Sequence, residues 1–157
     1  MSRLILLCGL PGAGKTTLAR RLAAALPAVR LSPDEWLADL GIDLFDEATR
    51  ARLERRFWAL TQELLPLGQP VVLESGFWTR AERDELRLGA RALGVPVELH
   101  YLTAPVDELA RRIAARTAAG EPAAVPISRE RLDGYLRHFQ APTAEELALF
   151  DPPVMPR

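Results

Sequence analysis

Leu4-Ile5-Leu6-Leu7-Cys8, followed by Gly9-Leu10-Pro11-Gly12-Ala13-Gly14-Lys15-Thr16, decides how this chain is read. The first segment is apolar at every position, as expected of a parallel strand covered on both faces. The second matches G-x-x-x-x-G-K-[ST] in full and runs straight into a helical pattern. Its glycines let the backbone curl until successive N–H groups face one point. The helix that follows adds the partial positive charge of its N-terminus. Such a loop cradles phosphate. Gly9, Leu10, Pro11, Gly12, Ala13, Gly14, Lys15, Thr16 and Thr17 are therefore the expected nucleotide-phosphate residues. Lys15 is expected to reach the β- and γ-phosphates, and the Thr16 hydroxyl to ligate Mg²⁺. Lys15 is also the only lysine in the chain; the rest of its 20 basic residues are arginine. In so arginine-rich a composition, the one retained lysine marks a place that needs a compact ammonium rather than a planar guanidinium.

Outward from this stretch the chain is ordinary. Its 157 residues suit one domain with a sizeable core. A hydrophobic fraction of 48% and a charged fraction of 26% exclude disordered and collagen-like classes. No apolar run approaches the ~18 residues of a membrane span, and residues 1–10 lack the pattern of a signal peptide. The single Cys8 excludes a disulfide framework and any zinc site built on cysteines. The expected compartment is a reducing cytoplasm. A net charge of −1 offers no general footprint for long nucleic acid.

Apolar strand-like segments alternate with helical ones, which predicts an α/β domain with a parallel sheet. Strands are expected at 4–8, 28–31, 71–74 and 95–102. Helices are expected at 15–26, from Ser32 to near Gly41, from Asp46 to 65, from Thr79 to near Gly94, and from Pro105 to 118. Ser128 and Thr143 each begin a further helix. Ser32 with Glu35 and Thr79 with Glu82 read as capping boxes, and Ile127 with Leu132 as a hydrophobic staple. The ending Asp151-Pro-Pro-Val-Met-Pro-Arg157 is too proline-rich for a central strand.

On these residues the chain resembles small P-loop kinases of the group that includes chloramphenicol phosphotransferase, zeta toxin and the kinase domain of polynucleotide kinase. The resemblance runs from Arg3 to about Phe139. It implies a three-layer P-loop NTPase with a parallel sheet of four to five strands, helices on both faces and a helical lid. The first strand would be central, flanked by the third and fourth, with the second beyond the third. One domain would span 1–157, with the lid at about 112–130 and a proline-rich tail at 151–157. The implied cofactors are ATP and Mg²⁺. The implied reaction moves the γ-phosphoryl group to a hydroxyl of a small-molecule acceptor. A 5′-hydroxyl polynucleotide or nucleoside kinase, and a regulatory ATPase with no acceptor, are the alternatives. A Ras-type GTPase is excluded because its N-K-x-D motif needs a second lysine. A hexameric AAA module needs a longer chain with sensor elements that are not found.

Asp34 follows the second strand at the sheet edge where ligands bind in open α/β folds. A carboxylate there can take the proton of an acceptor hydroxyl, the role the resemblance implies. It also lies in the first turn of a capped helix, where an acid favours the dipole. Glu74 ends the third expected strand, where many members of the group carry aspartate. It either holds a Mg²⁺-bound water or contacts the acceptor. Arg112 and Arg116 share one flank of the helix after the fourth strand, placed to stabilise charge on the transferring phosphoryl group. Arg111 lies nearly opposite the apolar stripe and is expected in solvent, and Arg129 is expected to border the lid. Trp36, Phe77 and Trp78 flank the two acids and are expected mainly to pack the core. The run Arg50 to Arg56 could receive an anionic acceptor, but reads first as a plain solvated helix face with Glu54 paired. Cys8, His100 and Tyr101 read as core.

Lys15→Ala and Lys15→Arg should both lose most phosphoryl transfer and weaken nucleotide binding, because a guanidinium is too wide and too directional for the loop. Nucleotide titration of the two variants checks this, and near-normal behaviour of the arginine variant would sink it.

Overall fold

The computed structural model describes residues 1–155; Pro156 and Arg157, the end of the expected tail, lie outside the described residues. Its elements are β1 (Leu4–Cys8), α1 (Lys15–Ala25), β2 (Val29–Leu31), α2 (Pro33–Asp39), α3 (Glu47–Leu64), β3 (Val71–Gly76), α4 (Arg80–Ala92), β4 (Val97–Tyr101), α5 (Val106–Ala118), α6 (Arg129–His138) and α7 (Ala144–Leu147). The strands form one parallel sheet in the order β2-β3-β1-β4, as the resemblance implies. Among the described residues the tail adds no fifth strand. No described helix is long and apolar enough to cross a membrane.

The alternation of β1 explains why every one of its residues is apolar. Leu4, Leu6 and Cys8 face a cluster that contains Phe57 of α3 and Leu86 and Ala90 of α4. Ile5 and Leu7 face the other way, onto Leu18, Ala19 and Leu22 of α1. Helices thus cover both faces of the sheet. A third cluster joins Leu10 and Ala13 of the phosphate loop to Leu109 and Ile113 of α5 and Leu132 of α6. The expected staple residue Ile127 packs against it.

The helix starts follow the side-chain signals. Ser32, Asp46, Thr79, Ser128 and Thr143 each accept a backbone N–H from the first turn of their helix. The Ser32 box does not close as expected, because the Glu35 carboxylate is drawn away to Arg20 and Arg30. Two strand ends also shift. β4 is trimmed to Val97–Tyr101, and β3 runs on to Gly76. Leu6 pairs with Leu73 but Cys8 with Gly76, so Glu74 and Ser75 together lie opposite Leu7. This is a bulge, a device that re-aims a side chain at the cost of one ladder position. Glu74 therefore sits inside β3 rather than at its end.

One buried ion pair ties the C-terminal elements to the sheet. Arg83 and Glu146 bond through two contacts of 2.6 and 3.0 Å, with side chains only 1% and 2% exposed. Arg83 also donates to the carbonyl of Phe77 at 2.8 Å, which steadies a residue with φ of 50°. Removing one partner strands a charge in a dry site. Glu146→Ala should therefore cost about 3–5 kcal/mol, read as a fall in the urea midpoint.

Candidate functional site

The phosphate loop is held by the third apolar cluster. Leu10 and Ala13 turn away from the open side and pack under α5 and α6, leaving the backbone to face outward. Gly12 has φ +83°, and a Cβ there would stand 2.8 Å from the Leu109 carbonyl, so the loop can press against α5 only with glycine at this point. Lys15 Nζ donates to the carbonyls of Gly9 and Leu10, at 3.0 and 2.9 Å. Burial pushes this ammonium down to about 8, against the pull of Asp34 and Glu74 in the other direction. A phosphate group would give it the counter-charge that the loop carbonyls only partly supply.

Glu74 faces α1 by ordinary strand alternation, on the same side of β3 as Val72. Its Oε1 accepts the Thr16 hydroxyl at 3.1 Å and its Oε2 accepts Arg30 at 3.0 Å, with the side chain 4% exposed. Thr16 and Glu74 thus put two hard oxygen donors side by side beneath the phosphate loop. No group of three or more His, Cys, Asp or Glu ligands occurs among the described residues. The pair fits Mg²⁺, which takes one or two protein oxygens and keeps the rest of its shell for water and phosphate.

Asp34 sits in the first turn of α2 and lines the same cleft as Lys15 and Glu74. Its Oδ1 is 2.6 Å from Arg50 Nη2. Arg112 donates to Glu108 at 2.9 Å and to the Gly12 carbonyl at 3.3 Å, which places its guanidinium on the phosphate loop itself. Arg116 pairs with Glu121 at 3.2 Å. Both arginines line the cleft, and so does Arg111, although its side chain is 68% exposed and bonded to Glu108. Arg129 instead ties α6 to α5 through Asp107 and does not line the cleft.

The cleft has a volume of about 1350 Å³. Beyond the phosphate loop it continues between α3 on one side and Trp78, Glu82 and α6 on the other. Trp78 and Tyr135 form a tilted aromatic pair there, with ring centroids 4.9 Å apart. Arg131 of α6 lies over the Phe45 ring at 4.0 Å, joining lining residues from two different segments. Of the three aromatics near the acids, only Trp78 lines the cleft; Phe77 is buried in the core and Trp36 packs edge-on against Phe57.

Of the expected solvated face of α3, Arg52, Arg55 and Arg56 are exposed, but two residues depart from it. Arg50 and Glu54 point into the cleft, with Glu54 half-buried. Burial pushes the Glu54 carboxyl up to about 7, with Glu82 and Asp34 adding to the effect and Arg50 opposing it. The signal was present in the spacing: Arg50, Glu54, Phe57 and Thr61 fall on one helical stripe, and the last two are buried. Arg30 carried no comparable signal, because both of its partners come from other elements.

Lys15 sets a pH dependence. Its folded value of about 8 lies below the ordinary 10.5. Between those values the unfolded chain binds a proton that the folded chain has released, so stability rises with pH across that window. Lys15→Met should therefore stabilise the nucleotide-free protein at pH 7, with a gain that shrinks from about pH 8 to 10.5. Melting curves of both proteins over that range check the sign.

Among solved structures, a gluconokinase from Sinorhizobium meliloti 1021 matches with a TM-score of 0.64 and 23% identity, over 91% of this chain and 78% of that one. Kti12 of Chaetomium thermophilum, in complex with ADP-AlF3, matches with a TM-score of 0.65 and 21% identity, over 90% and 82%. The Mycobacterium tuberculosis APS kinase CysC, in complex with AMPPNP and APS, matches with a TM-score of 0.61 and 23% identity, over 78% and 74%. These likenesses show a fold shared with P-loop kinases. No curated protein matches the sequence. One family model, described as an AAA domain, matches residues 4–142, a description that says nothing of a hexamer. With that match over most of its length and the fold of the small P-loop kinases, the chain belongs to this AAA-domain family of P-loop proteins.

Proposed function

We propose that this protein is a kinase that transfers the γ-phosphoryl group of ATP·Mg²⁺ to a hydroxyl of a small-molecule acceptor. The observation that carries the reading is the single cleft. It brings Lys15, Thr16, Asp34, Glu74, Arg112 and Arg116 to one space and then extends past Trp78 and Tyr135. Its volume of about 1350 Å³ exceeds the ~300–1,000 Å³ of ordinary ligand pockets, which leaves room for a second molecule beside a nucleotide. A regulator that only bound nucleotide would need no such extension.

In this reading the loop N–H groups and the Lys15 ammonium hold the triphosphate. The Thr16 hydroxyl and Glu74 would hold Mg²⁺, which would supply neutralising charge to the phosphates. Arg112, already seated on the Gly12 carbonyl, and Arg116, released from Glu121, turn their guanidinium groups to the γ-phosphoryl oxygens as charge develops there. Residues 112–130 act as the lid of a single domain. The acceptor oxygen bonds to the γ-phosphorus while the bond to the β–γ bridging oxygen breaks, and the electron pair leaves with ADP. The acceptor proton passes to Asp34. Arg50 occupies Oδ1, so Oδ2 is the oxygen left to receive it. Trp78 and Tyr135 wall the acceptor's apolar surface, and the half-buried Glu54 supplies a hydrogen-bonding group.

Asp34→Asn keeps the size and much of the capping geometry of the residue. Transfer should fall about 10²- to 10⁴-fold, the scale of a lost general base. Affinity for a non-hydrolysable ATP analogue should stay within a few-fold of wild type. The acceptor is found by following ADP release with ATP·Mg²⁺ and a panel of sugars, nucleosides, antibiotics and oligonucleotides. A loss of transfer matched by an equal loss of nucleotide binding would remove Asp34 from the chemistry.

A further inference from the structure

Glu74 belongs to a line of polar contacts that crosses four elements. Thr16 of α1 donates to its Oε1, and Arg30 of β2 donates to its Oε2. The other arm of Arg30 reaches Glu35 of α2, whose second oxygen accepts Arg20 at 2.9 Å, one helical turn beyond Thr16. The line therefore leaves α1 and returns to it. Arg30 stands at its centre with one guanidinium shared between two carboxylates, its side chain 18% exposed.

The two seats of that guanidinium are not equivalent. Glu35 is 27% exposed and has a second cation in Arg20, so it keeps a counter-charge without Arg30. Glu74 is 4% exposed, and Arg30 is the cation it pairs with. A carboxylate that far from water needs a positive partner. A divalent cation beside the Thr16 hydroxyl would supply one, and would repel the guanidinium already there. The contact of Arg30 with Glu74 and the contact of a metal with Glu74 thus oppose each other.

We propose that Arg30 is a positioning residue that competes with Mg²⁺ for Glu74. It neutralises the carboxylate in the metal-free protein and gives way toward Glu35 as the metal binds. The division of Arg30 between Glu74 and Glu35 then sets how strongly the site takes up Mg²⁺. The inference rests on the reading of Thr16 and Glu74 as the metal position.

The test measures the affinity of the full chain for a non-hydrolysable ATP analogue by calorimetry, once with Mg²⁺ and once with EDTA. The ratio of the two affinities reports the metal's contribution without any turnover. Arg30→Gln should raise that ratio by about 10- to 100-fold, the scale of one charge-assisted hydrogen bond released to the metal. Arg30→Lys keeps the charge but not the two-armed fork, and should fall between wild type and Arg30→Gln. Glu35→Gln weakens the second seat, concentrates Arg30 on Glu74 and should lower the ratio several-fold. A pillar with no other role would lower the ratio in Arg30→Gln or leave it unchanged, and either result overturns the proposal. If Arg30→Gln does not fold, Glu35→Gln decides, and an unchanged or raised ratio overturns it. A wild-type ratio of one would remove the metal position itself and this inference with it. A wild-type ratio well above one with no response in the variants would remove Arg30 alone.

Discussion

A buried carboxylate has to be satisfied, and the ligand edge of this sheet is arranged around one. Glu74 lies under the phosphate loop with both oxygens bonded, one to the helix that follows the loop and one to the neighbouring strand. Because the partners come from α1 and β2, satisfying Glu74 also sets the spacing between the phosphate loop and the strand that leads into Asp34. Strand alternation makes this possible: Glu74 follows Val72 on the α1 face of β3, and Arg30 stands opposite Val72 in β2.

The two ends of the cleft are built on different physics. At the phosphate end, backbone N–H groups and one ammonium are held by apolar packing of Leu10 and Ala13 under α5 and α6. Such a site suits any triphosphate and depends little on which side chains surround it. At the far end, the lining is made by side chains of α3, α4 and α6, with aromatic walls and several charges of both signs.

What could be read from the sequence was what depends on neighbours along the chain. The phosphate loop is a contiguous pattern, the four strands are contiguous apolar runs, and the caps at Ser32, Thr79, Ser128 and Thr143 act over three residues. Each was legible for that reason. The charges that meet across the fold were not. Glu35 satisfied a local rule as a capping-box partner, yet two arginines distant in sequence take its carboxylate, since a charged bond outweighs a neutral cap. Arg50 and Glu54 stand in a charged run whose composition suits a solvated face, yet they share a helical stripe with the buried Phe57. Arg83 and Glu146 sit 63 residues apart, and nothing in either neighbourhood marks them as a buried pair.

The segment after α7 has a role beyond covering the core. Asp151 donates its N–H to the Val97 carbonyl and accepts the Val97 N–H on its carboxylate, both at 2.8 Å, while Arg91 grips the same carboxylate. Val154 is bonded to Glu98 nearby. The Asp151 contacts fall on the outer side of β4, whose one strand partner among the described residues is β1. A bare strand margin is a template onto which another chain can add itself. The segment therefore covers the start of that margin, at Val97. A shortened variant ending before Asp151 would keep the whole phosphate loop and cleft yet present an open ladder to its own copies, so its failure would be seen as aggregation before it was seen as lost chemistry.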